Sequence, residues 1–247
     1  MTSTAVKPAP GPTYKARIAS NAEDVNAAQR LRFEVFNLEL NEGLAESWQT
    51  YMDVDRFDEV CDHLLVEHIA TGAVVGTYRL QTGAMAKAKH GYYSEQEFDF
   101  SPYESVRGEV VELGRACVHM AHRKMNVLNM LWRGIADYAL QRKARYLIGC
   151  SSLTSQDAAL GHAMFAKLAD SVVPDHFRTL PLPQYRLPDV PPLADCPEPP
   201  KLLRSYLSVG SKICGPAALD REFGTIDFLT LIDLRDMPAA VQGRFIA

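Results

Sequence analysis

Hydrophobic positions along the chain switch between a period of two and a helical period, and the switches mark a succession of strands and helices. Residues 14–19 alternate like a half-buried strand. Val25, Ala28, Leu31 and Val35 then recur at helical intervals, and Ser20 to Glu23 has capping-box spacing, which predicts a helix over 21–38. Strands over 63–68 and 73–81 flank the short Ala70-Thr71-Gly72 turn and read as a hairpin. A short helix over 92–100 and a strand over 110–118 follow. Leu128, Leu131, Ile135, Tyr138 and Ala139 form an apolar stripe on a helix predicted over 126–143. The run 146–150 is nearly all apolar, as in a strand covered on both faces. Another helix is predicted over 156–169, and 225–234 is the last strong strand pattern.

The segments between these elements set the domain count. Residues 1–12 are rich in Pro, Ala and Thr and are expected to be a disordered tail. Residues 41–61 are acidic, aperiodic and long for a connection, and such loops are often functional. Residues 174–200 carry many prolines and read as an extended surface connection. The lone strand after them cannot bury itself, so it should join the preceding sheet. The expectation is one domain over 13–247, of α/β class, with a mixed central sheet covered by helices on both faces.

Composition narrows the function. With 47% hydrophobic residues, the 247-residue chain can bury a sizeable core. A formal charge of −4 argues against general affinity for nucleic acid. The five cysteines show no C-x-x-C spacing, so neither a zinc site nor a disulfide framework is indicated, and reduced thiols fit a cytoplasmic protein. No secretory signal or spanning segment is recognised; a peripheral contact with the inner membrane stays open. His119 and His122 lack a third ligand at suitable spacing, so no metal is expected.

Charged residues concentrate where strands meet loops: Asp53, Asp55 and Asp58 in the long loop, Arg79 in the hairpin, and Glu112-Leu113-Gly114-Arg115 in a core strand. A buried charge is costly unless paired, so Asp55, Asp58, Arg79 and Arg115 are natural partners for one another. Alternation puts Glu112 and Gly114 on one face of their strand and Leu113 and Arg115 on the other. Bracing of the fold alone is the rival reading for these charges.

Arg32-x-x-x-Phe36, Asp55-x-Phe57-Asp58, Gly76-Thr77-Tyr78-Arg79-Leu80 and Glu112-Leu113-Gly114-Arg115 together resemble the acyl-homoserine lactone synthases. The blocks from Gly91 to Phe98, Leu131 to Ile135, Cys150 to Leu153, Lys212 to Pro216 and Leu219 to Phe228 resemble more closely their relatives, the ornithine N-acyltransferases. The resemblance runs from about Tyr14 to Asp233. It implies a GNAT-like (acyl-CoA N-acyltransferase) fold with a bulge near Glu112 to Arg115. It also implies transfer of a (3-hydroxy) fatty acyl group from acyl carrier protein to the α-amine of L-ornithine, giving lyso-ornithine lipid. No cofactor would be bound; the donor would be acyl-phosphopantetheine on the carrier. Acetyl-CoA users cradle pyrophosphate on a glycine-rich loop before a helix, whereas 122–127 here has no glycine. A carrier needs no such cradle, and acidic carriers would meet a cationic landing point at Arg123 and Lys124, next to His122.

Roles follow from the chemistry of amide formation. An α-amine is mostly protonated at neutral pH, so a general base is needed, and Glu112 is the candidate. Backbone N–H groups near Cys117, Val118 and His119 would receive the oxyanion and the pantetheine amides. Arg32, Arg79 or Arg115 would fork the acceptor carboxylate, and Asp55 or Asp58 would take its side-chain ammonium. Phe36 and Trp48 are candidates for the channel wall, and Lys212, Asp220 and Arg221 stand open between pocket and scaffold. An N-acyl amino acid synthase with another acceptor and a catalytically idle GNAT-like binding module are the alternatives; nothing resembles an adenine site for S-adenosylmethionine.

Overall fold

A computed structural model describes residues 12–245; the tail expected over 1–12 lies, Pro12 apart, outside the described residues. One mixed sheet organises them. Its strands are β1 (Tyr14–Ile18), β2 (Asp62–His68), β3 (Ala73–Thr82), β4 (Val110–Val118), β5 (Tyr146–Leu153), β6 (Lys212–Ile213), β7 (Ala218–Asp220) and β8 (Thr225–Asp233). They lie in the order β1-β2-β3-β4-β5-β8-β6, with β7 also on β8. Only β4 and β5 run parallel; the other pairs are antiparallel. The late strand thus joins the sheet beside β5, as an unpaired strand must to satisfy its backbone.

The helices are α1 (Ala22–Phe33), α2 (Ser47–Thr50), α3 (Gly83–Ala88), α4 (Met125–Gln141), α5 (Ala158–Lys167), α6 (Lys201–Ser208) and α7 (Ala239–Phe245). The first starts one residue later than the capping-box spacing predicts: Asn21, not Ser20, is the N-cap, and its side chain accepts from the Asp24 N–H. The Asp24 side chain in turn accepts from the Ser20 N–H and hydroxyl and pairs with Arg17. After Phe33 the helix continues as a π-helical segment, Glu34–Glu39. The helix predicted over 156–169 is shorter, Ala158–Lys167, because Asp157 is its N-cap and its side chain accepts from the Ala159 N–H. The short helix expected over 92–100 is a 3-10 turn, Tyr93–Gln96.

Helix α4 packs Val127, Leu131 and Ile135 on one face of the sheet, against Leu64, Val66, Tyr78, Leu80, Val111 and Leu113. The opposite face holds α1 and the π-helical segment, whose Leu31, Val35 and Phe36 pack with Cys117. No helix among the described residues is long and apolar enough to cross a membrane.

Candidate active site

Two departures from regular sheet geometry build the site. The first is a splay. Pairing between β4 and β5 runs from Val110↔Tyr146 to Glu112↔Ile148 and stops there, although β4 continues to Val118 and β5 to Leu153. Gly149 marks the last close approach: a β-carbon on it would lie 2.1 Å from the Leu113 carbonyl oxygen, so any side chain would push the strands apart.

The second is a β-bulge. Arg79 faces Gly114 and Thr77 faces Cys117, so Arg115 and Ala116 together oppose the single residue Tyr78. Arg115 adopts φ 49°, the left-handed region that non-glycine residues rarely enter. The extra residue reverses side-chain parity. Before it, Leu113 faces α4 and Glu112 faces away; beyond it, Ala116 and Val118 face α4, while Cys117 packs with α1. Arg115 therefore projects to the face of Glu112 and Arg79, which corrects the simple alternation expected from sequence.

Between the splayed strands lies a cavity of about 580 Å³ whose walls come from both faces of the sheet. On the α4 side it is lined by Tyr78, Leu113, Ala116, Leu128, Leu131 and Tyr206, and it opens beside Lys124, Met125 and Lys201. On the other side it is lined by Arg79, Tyr93, Ser94, Glu112, Arg115 and Asp227, with Phe36 and Phe223 alongside. An apolar channel thus meets a polar chamber through the sheet itself.

The Glu112 carboxylate is held from two backbone positions. Oε2 accepts from the Tyr93 N–H at 2.7 Å, and Oε1 accepts from the Ser94 N–H at 2.8 Å and the Ser94 hydroxyl at 2.6 Å. Burial pushes its pKa up, and those hydrogen bonds and Arg79 oppose the rise without cancelling it. A carboxylate buried on the cavity wall with a raised pKa can accept a proton.

An acetyltransferase (GNAT) domain model matches residues 31–133. The L-ornithine N(alpha)-acyltransferase of Agrobacterium fabrum is 30% identical to this chain, over 95% of it and 84% of that protein. The chain belongs to that family. Proteins of the same name from Rhodobacter capsulatus and Brucella abortus are 30% and 31% identical, over 91% and 95% of this chain and 92% and 88% of theirs. Among solved structures, the AHL synthase LasI has a TM-score of 0.55 at 13% identity, covering 95% of each chain. FeeM, an N-acyl amino acid synthase from uncultured soil microbes, has a TM-score of 0.56 at 12% identity, covering 92% and 93%. These two likenesses concern the fold. The protein is an N-acyltransferase of GNAT-like architecture.

In the acyltransferase, the charged motifs form one buried lattice beside the cavity. Arg32, almost wholly enclosed, donates to Asp53 at 2.7 Å and to both Asp58 oxygens at 2.7 and 2.9 Å. Arg79 reaches Asp55 at 2.6 Å and Asp58 at 3.0 Å. Arg115 reaches Asp55 at 3.0 Å and Asp53 at 3.2 Å, its guanidinium lying over the Tyr93 and Phe223 rings. Burial alone would raise the Asp58 carboxyl, but Arg32 and Arg79 overcome it and hold the group far below the carboxylate range. Three guanidiniums thus neutralise three carboxylates.

Several sequence expectations change here. Arg32, Asp55 and Asp58 do not line the cavity and already have partners, so they are not placed to meet an acceptor. Of the three arginines, Arg79 and Arg115 reach the cavity wall. Cys117 and Val118 line it, whereas His119 does not, and its N–H already donates to the Val75 carbonyl. Trp48 is half exposed and packs on Phe33 away from the cavity. Arg123 is bound two-pronged by Glu39 at the cavity rim, and Lys124 stands exposed beside it. Lys212 is exposed, Asp220 caps the turn to Phe223 through two backbone N–H groups, and Arg221 donates to the Gln184 carbonyl.

Sequence reading missed Glu97, Cys150 and Asp227 as a group. One ligating atom of each lies within 4.8 Å of the others. Asp227 lines the cavity with Cys150, and burial pushes its pKa up to about 6, with Asp220 adding to the rise. The Cys150 thiol is pushed well up by burial and by these carboxylates, so it stays protonated and is no nucleophile. The signal was present: Asp227 is the single charged residue among the apolar residues and threonines of 225–232, the kind of buried polar group that demands a reason.

Proposed function

We propose that the enzyme transfers a (3-hydroxy) fatty acyl group from acyl carrier protein to the α-amine of L-ornithine, giving lyso-ornithine lipid. The observation that carries this reading is the cavity through the sheet. Its apolar half suits an acyl chain, its polar half suits an amino acid, and the two meet at Glu112. The relatives' shared name supplies the acceptor.

In this mechanism the acyl-phosphopantetheine enters past Lys124 and Met125, at the start of α4. The N-cap Lys124 side chain makes no capping bond, and the Met125 and Asn126 N–H groups, which have no partner among the described hydrogen bonds, would meet one phosphodiester. The splayed edge of β4 around Cys117 and Val118 then offers backbone amides to the pantetheine and the thioester oxygen. Glu112 accepts a proton from the acceptor's α-ammonium. The freed amine attacks the thioester carbon, the C–N bond forms, the C–S bond breaks, and the thiolate leaves with a proton. Arg115 and Arg79 supply positive charge for the acceptor carboxylate. Exposed Leu40 and Met125 at the rim suit delivery of a lipid product to the inner-membrane surface from the cytoplasm.

The test is an acceptor screen: purified enzyme, one long-chain acyl carrier protein and a panel of amino acids, read by product mass. Acyl-ornithine as the main product is expected. A different acylated amino acid would select the synthase alternative, and no product with any acceptor would select the binding module.

A further inference from the structure

Among the described residues, the polar chamber and the wall behind it hold more acidic side chains than the chain pairs with basic ones. Arg32, Arg79 and Arg115 are matched by Asp53, Asp55 and Asp58. Among the described ion pairs, none engages Glu97, Glu112 or Asp227, all at most 4% exposed. Glu112 has its three hydrogen bonds from the chain. Asp227 differs: Ser152 and Thr225 lie beside its carboxyl and favour the charged form, yet its Oδ1 is buried without a hydrogen-bond partner among the described residues, and it belongs to the cavity wall.

Buried acceptors without donors are rare and ask for an occupant. The surrounding groups describe it. Glu97 and Asp227 bring two carboxyls to within 4.8 Å of one another and of the neutral Cys150 thiol. This arrangement suits a small cation with several N–H donors. The place is also apt, because the Ser94 hydroxyl bridges from Glu112, at 2.6 Å, to the Cys150 sulfur, at 3.4 Å. The acidic pair therefore lies one short side chain beyond the group that would deprotonate the α-amine.

We propose that Glu97 and Asp227 form the subsite for the acceptor's distal ammonium, so that a diamino acid is selected over a neutral amino acid of the same length. Asp227 makes the direct contact from the cavity wall and Glu97 backs it. The inference rests on the proposed transfer to an amino-acid α-amine. It moves the ammonium contact away from Asp55 and Asp58, whose charges the arginines already answer.

The experiment compares L-ornithine with L-2-aminopentanoate, which has the same carbon chain without the distal amine, using the full-length enzyme and acyl carrier protein. Wild type should prefer ornithine in kcat/KM by about 100-fold or more, since a site built to bind a polar group rejects the analogue lacking it. Asp227→Asn and Glu97→Gln should each cut that preference at least tenfold, mainly through the KM for ornithine. Equal efficiency of wild type with both acceptors would overturn the subsite while leaving the acyl transfer intact. The subsite also falls if both variants keep the wild-type preference, or lose turnover of the two acceptors in equal proportion. A divalent ion held by the same three groups would make turnover sensitive to a chelator and indifferent to the distal amine, and that result overturns it too. Absence of any ornithine product would overturn the proposed function, and this inference with it.

Discussion

Ser94 grips one oxygen of Glu112 twice, through its N–H at 2.8 Å and its hydroxyl at 2.6 Å. The hydroxyl favours the ionised carboxylate against the burial that raises its pKa. In Ser94→Ala the Glu112 pKa rises further, so the base is protonated over a wider acidic range. The acid limb of the kcat/KM profile should move to higher pH, with the alkaline limb in place. A pH–rate series on the two proteins checks this, and an unmoved acid limb would separate that limb from Glu112.

Glu112→Gln keeps the shape of the side chain and removes its basicity. Turnover should fall by about 10²–10⁴, the range for loss of a general base. Single-turnover measurements would show whether the chemical step itself is slowed.

The ion-pair lattice makes a stability prediction. Asp58→Ala leaves Arg32 and Arg79 buried with fewer partners, and breaking a buried pair from one side costs about 3–5 kcal/mol. Denaturant unfolding measures it. Asp58 and Asp55 titrate below their unfolded values in the folded chain. Their stabilisation is therefore complete above an unfolded pKa of about 4, and is lost as pH falls below it.

Asp227 has the opposite linkage. Burial raises its folded pKa to about 6, above the ordinary Asp value of about 3.9, so the folded state holds the proton longer and stability falls as pH rises through that interval. At about 1.4 kcal/mol per pKa unit, the loss is on the order of 3 kcal/mol by neutral pH. Asp227→Asn should flatten this decline between pH 4 and 6 and be more stable than wild type at pH 7. Thermal melts across that range would show it, and parallel curves for the two proteins would count against the buried, unpaired carboxyl.

Lys124, the N-cap of α4, and Lys201, the first residue of α6, stand at the mouth. Reversing both to Glu should raise the KM for acyl carrier protein about tenfold, by analogy with rim charges that govern encounter. A small acyl-pantetheine thioester should be affected far less. Equal changes for the two donors would remove carrier docking from this rim.

The strand over 110–118, the α4 stripe and the hairpin were legible because each depends on a local period that a buried face imposes. The partnership of Asp55, Asp58, Arg79 and Arg115 was legible too, since buried charges must pair. Arg32 was misplaced because its motif spacing says nothing of depth; only packing shows that Asp53 and Asp58 enclose it. Strands β6 and β7 were not foreseen, being too short for a period to emerge over two and three residues; helix α6 was not foreseen either, although Leu202, Leu203, Tyr206 and Leu207 recur at helical spacing.

For Glu112-Leu113-Gly114-Arg115, the sequence by itself determined the strand, the carboxylate and the need for charge partners. Tertiary structure decided whether Glu112 and Arg115 share a chamber. Side-chain parity along a strand depends on how many residues the neighbour pairs, and the two-for-one opposition of Arg115 and Ala116 to Tyr78 is a property of β3 and β4 together. The splay beyond Glu112↔Ile148 and the meeting of Glu97 with Asp227 are likewise non-local. Local propensity carries no record of them, because their energies arise only once distant segments have packed.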